Sequence, residues 1–261
     1  MSEPSRVVVL GGGPAGDVAA LRAAQLGASV TMIERAELGG TCLNWGCIPT
    51  KALLATADLL RRVRRADEYG LVVPEVSFDF PKMMERKEGI VTRMRQGVEG
   101  AAKRKGVAVV RGEGRVDGDA VVVDGTRYGY DHLVVCVGTE PAGLPGYDME
   151  HPAVLTSNDV LRLETVPQSM IVVGGGVIGC EFASLFAALG TQITIVEILP
   201  PAPHPKDAAD YAAILRSVTT CFEEVKNADT NPDALLVAIE KAEGVQVTYD
   251  ARVGRLVPVA S

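Results

Sequence analysis

Two cysteines are separated by four residues in the stretch GGTCLNWGCIPTK, which spans residues 39–51. Cys42 and Cys47 could belong to a metal site, could be two unlinked buried thiols, or could form a disulfide that opens and closes. A structural zinc site needs four Cys or His ligands, and the other cysteines and histidines are scattered along the chain. We therefore predict no metal site, and thiol chemistry is the favoured interpretation.

The residues around the pair indicate how it is positioned. Gly46 and Pro49 allow an irregular turn that leads into a helix predicted over residues 51–70, where leucines recur at helical spacing. Cys47 then lies near the N-terminus of that helix, where the positive end of the helix dipole stabilises a thiolate. This arrangement favours a reactive pair over a structural disulfide.

The sequence also contains an internal repeat at an offset of 163 positions. VVLGGGPAGDVAALRAAQLGASVTMIE covers residues 8–34, and IVVGGGVIGCEFASLFAALGTQITIVE covers residues 171–197. Each copy reads as a strand, a G-x-G-x-x-G turn, a helix and a second strand that ends in glutamate, which is the dinucleotide-binding fingerprint in its required context. The alternative of two merely structural turns is disfavoured because both copies are complete.

The glycines and the glutamate of each repeat copy have predicted functions. The first glycine of each copy makes the tight turn, the second lets the backbone approach a pyrophosphate, and the third lets helix and strand pack closely. The terminal glutamate accepts hydrogen bonds from ribose hydroxyls, and at Glu197 it favours NAD over NADP because it repels a 2′-phosphate. The predicted cofactor-binding residues are Gly11, Gly13, Pro14, Ala15, Gly16 and Glu34 in the first copy, and Gly174, Gly176, Val177, Ile178, Gly179 and Glu197 in the second.

Composition restricts the remaining possibilities. The net charge of −7 argues against a nucleic-acid or anionic-membrane surface. No apolar run approaches the roughly 20 residues of a membrane span, and the N-terminus lacks a signal-peptide pattern. We therefore expect a cytoplasmic protein, a compartment in which disulfides are usually transient or catalytic.

Between the repeats, the pattern predicts a helix over Phe80–Lys105 with Asp79 as its N-cap, and then strands over 107–137 with Asp-Gly turns at 117–118 and 124–125. The run 132–141 resembles a buried strand, and a linker follows around 141–152. The predicted fold class is α/β, with two Rossmann-like three-layer nucleotide-binding domains over residues 1–150 and 151–261. We expect the second domain either to be incomplete or to carry an insertion near 199–232.

GGTCLNWGCIPTKALL, following a G-x-G-x-x-G…E site, resembles the redox-disulfide signature of the flavin-dependent pyridine nucleotide–disulfide oxidoreductases. Within that family it is most similar to the dihydrolipoamide dehydrogenase branch. GGGVIGCEFASLFAALG is similar to the NAD-domain motif of the same family. The resemblance covers residues 5–198 well and 233–257 loosely.

The resemblance implies FAD at the first repeat and NAD at the second, with dihydrolipoyl groups, free or carried by a protein, as substrate. It implies that Cys47 lies against the flavin, that Cys42 exchanges with the dithiol substrate, and that Lys51 approaches the flavin and pairs with Glu181. Further FAD contacts implied by the resemblance are Gly40, Thr41, Gly114 and Gly138, although the chain has CVGT where the family commonly has an Ala-Thr-Gly triplet.

Members of the family are longer and form homodimers through a C-terminal domain that also supplies a catalytic histidine. We therefore expect this chain to be truncated, without its dimerisation domain. Two alternatives stay open at this point: a catalytically incompetent nucleotide-binding fragment, and a related disulfide reductase with another substrate.

Overall fold

A computed structural model of the protein describes residues 3–143, 148–196, 247–250 and 255–258. Contacts divide the chain into two compact units. The first unit contains the residues up to Leu53 together with Asp79–Glu164, and the second contains Leu54–Phe78 together with residues from Thr165 onward. The division that the sequence predicted falls at residue 150, in the linker, and its assignment to FAD and NAD domains stays a prediction.

Within the described residues, the predicted helices and strands occur in the predicted order, together with short helices that the sequence did not predict. The strands are β1 (Arg6–Leu10), β2 (Ser29–Glu34), β3 (Ala108–Arg111), β4 (Arg115–Asp117), β5 (Ala120–Val123), β6 (Thr126–Gly129), β7 (His132–Val135), β8 (Ser169–Val173), β9 (Gln192–Val196), β10 (Val247–Asp250) and β11 (Arg255–Pro258). The helices are α1 (Pro14–Gln25), α2 (Gly40–Trp45), α3 (Cys47–Arg64), α4 (Phe80–Arg104), α5 (Ser157–Val160) and α6 (Val177–Ala188), with a 3-10 helix at Ala66–Tyr69.

The first unit has three layers. Its central sheet is parallel in the order β3-β2-β1-β7. On one face, alternate residues of β1 and β2 pack against α1 and α4, and on the other face the remaining residues pack against the antiparallel sheet β4-β5-β6. A strand buried on both faces requires a continuous apolar run, and VVVL of β1 has one. The predicted α/β, Rossmann-like fold class is confirmed.

The elements between the repeats also match the prediction. Asp79 caps α4, since its side chain accepts a hydrogen bond of 3.0 Å from the backbone N–H of Lys82. The two Asp-Gly turns lie between the antiparallel strands, and Gly118 and Gly125 have φ values of 61° and 81°. A positive φ is readily adopted by glycine, which explains its place in these turns.

Two boundaries differ from the prediction. Helix α3 begins at Cys47 rather than residue 51, because Pro49 lies in the first turn, where its missing N–H has no intrahelical partner. It ends at Arg64, and the 3-10 helix follows. Strand β7, at the start of the run 132–141 that was predicted to be a buried strand, is short and only partly buried, because among the described strands it pairs with β1 alone, at the edge of the sheet.

In the second unit, β8 and β9 pair in parallel. Helix α6 has buried apolar residues that include Phe182 and Phe186. The C-terminal half of α3 belongs to this unit. Arg61 donates to the Ser184 hydroxyl at 2.7 Å, and Arg64 donates to the Ala188 carbonyl, also at 2.7 Å. Both arginines therefore place positive charge at the negative end of α6.

Strands β10 and β11 form an antiparallel pair, as expected for part of the 233–257 segment. The helix predicted at the start of that segment and the insertion predicted near 199–232 lie outside the described residues.

Candidate functional site

The first nucleotide turn connects β1 to α1. Gly11 has a φ of 103°, and its N–H donates to the carbonyl of Ile33 on β2 at 2.8 Å. A Cβ on Gly16 would lie 1.8 Å from the Gly11 carbonyl oxygen, so the backbones of turn and helix meet where no side chain fits. Helix α1 begins after Gly13 with no side-chain cap, which leaves its first N–H groups to a ligand.

Glu34 ends β2 beside this turn, and it is buried. One carboxylate oxygen accepts from the N–H of Gly12 at 2.6 Å, and the other accepts from the N–H of Ala36 at 2.7 Å. These two backbone donors hold the carboxylate in one orientation. Each oxygen has a further lone pair with which to accept from a ribose hydroxyl.

The second nucleotide turn repeats the first one closely. Gly174 also has a φ of 103°, and its N–H donates to the Val196 carbonyl at 2.8 Å. A Cβ on Gly179 would lie 2.1 Å from the Gly174 carbonyl oxygen, whereas a Cβ on Gly176 would meet open space. Helix α6 begins after Gly176 without a side-chain cap, as α1 does after Gly13. Glu197 lies outside the described residues.

The cysteine pair lies where α2 meets α3. Cys42 is the third residue of α2 and Cys47 is the first of α3, with Gly46 between the two helices at a φ of −142°. The Gly46 carbonyl accepts from both the N–H and the hydroxyl of Thr50, a buried residue, at 3.1 and 2.7 Å. The predicted irregular turn before the helix, and the place of Cys47 at a helix N-terminus, are both present.

Both cysteines are free thiols in the structure, with Cys42 half-buried and Cys47 exposed. A hydrogen bond with the Cys47 side chain and partial burial raise the pKa of the Cys42 thiol, and the nearby charge of Lys51 opposes that rise. The Cys42 thiol therefore has the Cys47 side chain and the charge of Lys51 as neighbours. Lys51 lies one turn into α3 and is exposed.

The cysteine segment also contacts the first nucleotide turn. The N–H of Gly39 donates to the Gly12 carbonyl at 2.8 Å. A Cβ on Gly40, which has a φ of 55°, would lie 2.7 Å from the Cα of Gly13. Two glycines thus allow α2 to begin against the turn that the fingerprint assigns to a pyrophosphate, and the exposed Thr41 follows.

The remaining predicted site residues lie in different surroundings. Gly138 has a φ of 71°, and a Cβ there would meet nothing, so the position is open to a ligand. Gly114 faces the core instead, since a Cβ there would lie 2.5 Å from the Leu10 side chain. Glu181 lies on α6, in the second unit, and its predicted pairing with Lys51 stays a prediction.

Three residues that lie near these sites were not singled out from the sequence. Asn44 and Arg95 form a hydrogen bond of 2.8 Å between α2 and α4. Asp17, in the first turns of α1, has a buried oxygen, Oδ1, without a hydrogen-bond partner in the described structure. The acidic residue at position 17 could have been noticed within the first repeat, but the Asn44–Arg95 contact joins positions 51 residues apart.

The sequence pattern of the family described as "Pyridine nucleotide-disulphide oxidoreductase" matches residues 5–252. The chain belongs to this family.

Curated relatives include the dihydrolipoyl dehydrogenase of Chlamydia muridarum, which is 41% identical over 76% of this chain and 44% of its own length. A dihydrolipoyl dehydrogenase of Bacillus subtilis is 36% identical over 94% of this chain and 56% of its own length. The chain therefore spans about half the length of the curated relatives it matches.

Solved structures of similar fold include flavoprotein disulfide reductases. The HOCl-induced flavoprotein disulfide reductase RclA from Escherichia coli superposes with a TM-score of 0.66 and 29% identity, over 81% of this chain and 47% of that one. LpdA from Mycobacterium tuberculosis superposes with a TM-score of 0.67 and 26% identity, over 82% of this chain and 50% of that one.

FAD and NAD are the cofactors of this family. The first turn fits a dinucleotide, because uncapped N–H groups of α1, a buried carboxylate at Glu34 and a backbone without side chains meet at one place. The second turn offers the same backbone conformation and an open approach at Gly176.

Two absences concern the described part of the chain alone. It contains no group of three or more His, Cys, Asp or Glu residues placed to hold a metal ion. None of its helices combines the length and the apolar character that crossing a membrane would need.

Asp17 gives a testable stability effect. Burial raises the pKa of its carboxyl, so the unfolded chain loses this proton at a lower pH than the folded chain. The folded state therefore loses stability as pH rises from the ordinary aspartate pKa of 3.8 towards the folded value. Asp17→Asn should raise the free energy of unfolding at neutral pH by at most about 1 kcal/mol, since solvent still reaches part of the side chain.

Urea unfolding at neutral pH and below the aspartate pKa measures this effect, and the gain should disappear at the lower pH. Asp67→Asn is the matched control, because Asp67 is exposed in the 3-10 helix. An equal gain for both variants would contradict the role of burial at Asp17.

Proposed function

We propose that this chain carries the cofactor-binding and dithiol part of a dihydrolipoyl dehydrogenase-type enzyme, which oxidises dihydrolipoyl groups and reduces NAD⁺. The observation that carries the proposal is the contact of the cysteine segment with the first nucleotide turn, through Gly39–Gly12 and Gly40–Gly13. Interacting thiols beside a dinucleotide-binding turn suit electron transfer between a dithiol and a flavin.

The thiol chemistry follows from the cysteine pair in its disulfide form. One thiolate of the substrate attacks the sulfur of Cys42, a mixed disulfide forms, and Cys47 leaves as a thiolate at the N-terminus of α3. The second thiol of the substrate then attacks the substrate sulfur that is bonded to Cys42. This step releases Cys42 as a thiolate and closes the cyclic disulfide of the product. Two electrons have passed from substrate to the cysteine pair.

The helix dipole of α3 stabilises the Cys47 thiolate, and a stabilised thiolate leaves faster in exchange. The positive charge of Lys51, four residues further along α3, favours the thiolate form of Cys42, which leaves in the second exchange. When bound, FAD and NAD⁺ supply the chemistry by which the two electrons leave the reduced pair. Glu34 and the N–H groups of α1 would hold FAD, and the second turn would hold NAD.

A lipoyl group on a carrier protein, or free lipoamide, is the substrate we propose, because the relatives reported above include dihydrolipoyl dehydrogenases. The similarity to RclA, a flavoprotein disulfide reductase, supports a second candidate in which another disulfide compound is the partner. Homodimer formation and a cytoplasmic location stay predictions.

A flavin absorbance spectrum of the purified chain tests the proposal. We expect bound FAD, which is bleached by dihydrolipoamide and restored by NAD⁺. A chain without flavin after reconstitution with FAD would contradict the enzyme function for this chain and favour the incompetent fragment. Bleaching by another dithiol but not by dihydrolipoamide would favour the second candidate.

A further inference from the structure

Asn44 lies between the two cysteines in the sequence, and its side chain is fully engaged with other parts of the first unit. Its Nδ2 donates to the carbonyls of Leu38 and Gly40, both at 3.0 Å. Its Oδ1 accepts from Nε of Arg95 at 2.8 Å. One side chain therefore joins α2 both to the loop that enters it and to α4.

Helix α2 needs such contacts in order to hold its position. It has six residues and begins after Gly39, which has a φ of 92° and provides no side-chain cap. A helix of this length is unstable alone in water, so tertiary contacts must fix it. Leu43 supplies one of them, since it is buried, and Asn44 supplies the polar ones.

Arg95 fixes α2 to a much longer element. It lies on α4, which has 25 residues, and 28% of its side chain is exposed. Its guanidinium also lies 3.5 Å from the Glu37 carboxylate, in the loop before α2. Because the guanidinium is planar and presents several donors in a fixed arrangement, it can hold two groups at once in defined positions.

These contacts determine where Cys42 lies relative to Cys47, because Cys42 is on α2 and Cys47 begins α3. We propose that Arg95 and Asn44 are positioning residues, which hold the two cysteines at a separation favourable to disulfide formation and so set the reduction potential of the pair. This inference rests on the redox function proposed above for Cys42 and Cys47.

Glutathione provides a balanced reaction with which to measure that potential. Glutathione disulfide takes two electrons from the thiols of Cys42 and Cys47, and their two protons end on two molecules of glutathione. The Cys42–Cys47 disulfide forms while the glutathione disulfide bond breaks. The equilibrium constant rises with the effective concentration of one protein thiol at the other.

The decisive variant is Arg95→Met, which removes the donors and keeps the length of the side chain. We expect its equilibrium constant for disulfide formation to fall roughly tenfold, which corresponds to a reduction potential about 30 mV higher for a two-electron couple. Arg93→Met is the matched control, because Arg93 is an exposed arginine on the same helix. It should leave the constant unchanged.

The measurement uses the whole chain equilibrated in glutathione buffers of known ratio. Free thiols are alkylated, and mass spectrometry of the peptide that carries both cysteines gives the oxidised fraction separately from the other cysteines. Asn44→Ala and the double variant with Arg95→Met complete a cycle. If the two residues act together, the double variant lowers the constant by less than the product of the two single-variant factors.

An unchanged constant in a folded Arg95→Met variant would overturn the inference. If that variant fails to unfold cooperatively in urea, Arg95→Lys decides, since lysine keeps the charge but cannot hold Asn44 and Glu37 together. We expect a smaller shift in the same direction, and no shift would overturn the inference. A wild-type chain that never forms the Cys42–Cys47 disulfide would instead overturn the proposed function.

Discussion

We expect Cys42→Ser to abolish dihydrolipoamide oxidation, with a loss of about three orders of magnitude or more, while FAD binding is unchanged. Serine cannot form the mixed disulfide through which the substrate would pass its electrons. The hydroxyl is close to the thiol in size, and Cys42 is half-buried near the protein surface, so the fold should be retained. Steady-state reduction of NAD⁺, together with the flavin spectrum of the same sample, measures both properties.

Cys136→Ser is the matched control. Cys136 is another half-buried thiol of the first unit. It begins the CVGT segment in which Gly138 is a predicted FAD contact, so the flavin content of this variant is measured together with its rate. We expect its rate to stay within about threefold of the wild-type rate, as for a substitution outside the reacting groups. Equal losses of rate in both variants would show that removing a thiol lowers the rate by destabilising the fold. Substantial turnover by Cys42→Ser would exclude disulfide exchange at the sulfur of Cys42.

The two nucleotide turns show what a sequence repeat can predict. Gly11 and Gly174 were assigned the same tight turn because they hold the same place in the fingerprint, and both adopt a φ of 103°. The prediction succeeds because each repeat copy contains both the glycine and the residue on the second strand whose carbonyl accepts from it, Ile33 or Val196. Helix α4 and its Asp79 cap were predictable because the cap depends on residues three positions apart.

The failures of prediction come from contacts that are distant in the sequence. The start of α3 is an exception, because the periodic leucines located the body of the helix, whereas its beginning depends on nearby residues, namely Pro49 in the first turn and the contact of Thr50 with Gly46. Nothing local indicated that Arg95 would meet Asn44. Gly114 was assigned to the cofactor by resemblance, whereas packing against Leu10 is sufficient to require a glycine there. Its cofactor contact stays a prediction.

Gly16 and Gly13 have different functions within the first nucleotide turn. We expect Gly16→Ala to destabilise the fold by about 3 kcal/mol or more, because its Cβ would lie 1.8 Å from the backbone oxygen of Gly11 and neither backbone can move independently. FAD binding should be lost with the fold.

Gly13→Ala should behave differently. The φ of Gly13 is −73°, which alanine adopts readily, and the nearest atom to an added Cβ would be the Cα of Gly40 at 3.8 Å, an ordinary contact. The free energy of unfolding should stay within about 0.5 kcal/mol of the wild-type value. FAD affinity should still fall by about tenfold or more, because the added methyl group occupies the space through which the pyrophosphate approaches the backbone.

Urea unfolding followed by the emission of Trp45, the single tryptophan, measures stability, and titration with FAD measures affinity. Gly97→Ala is the control for a glycine with no such constraint, since it lies within α4 and an added Cβ would meet nothing. It should stabilise the chain by about 0.5–1 kcal/mol, because alanine favours a helix over glycine. Undiminished FAD affinity in a folded Gly13→Ala variant would mean that this turn does not approach a pyrophosphate, whatever the stability of Gly16→Ala.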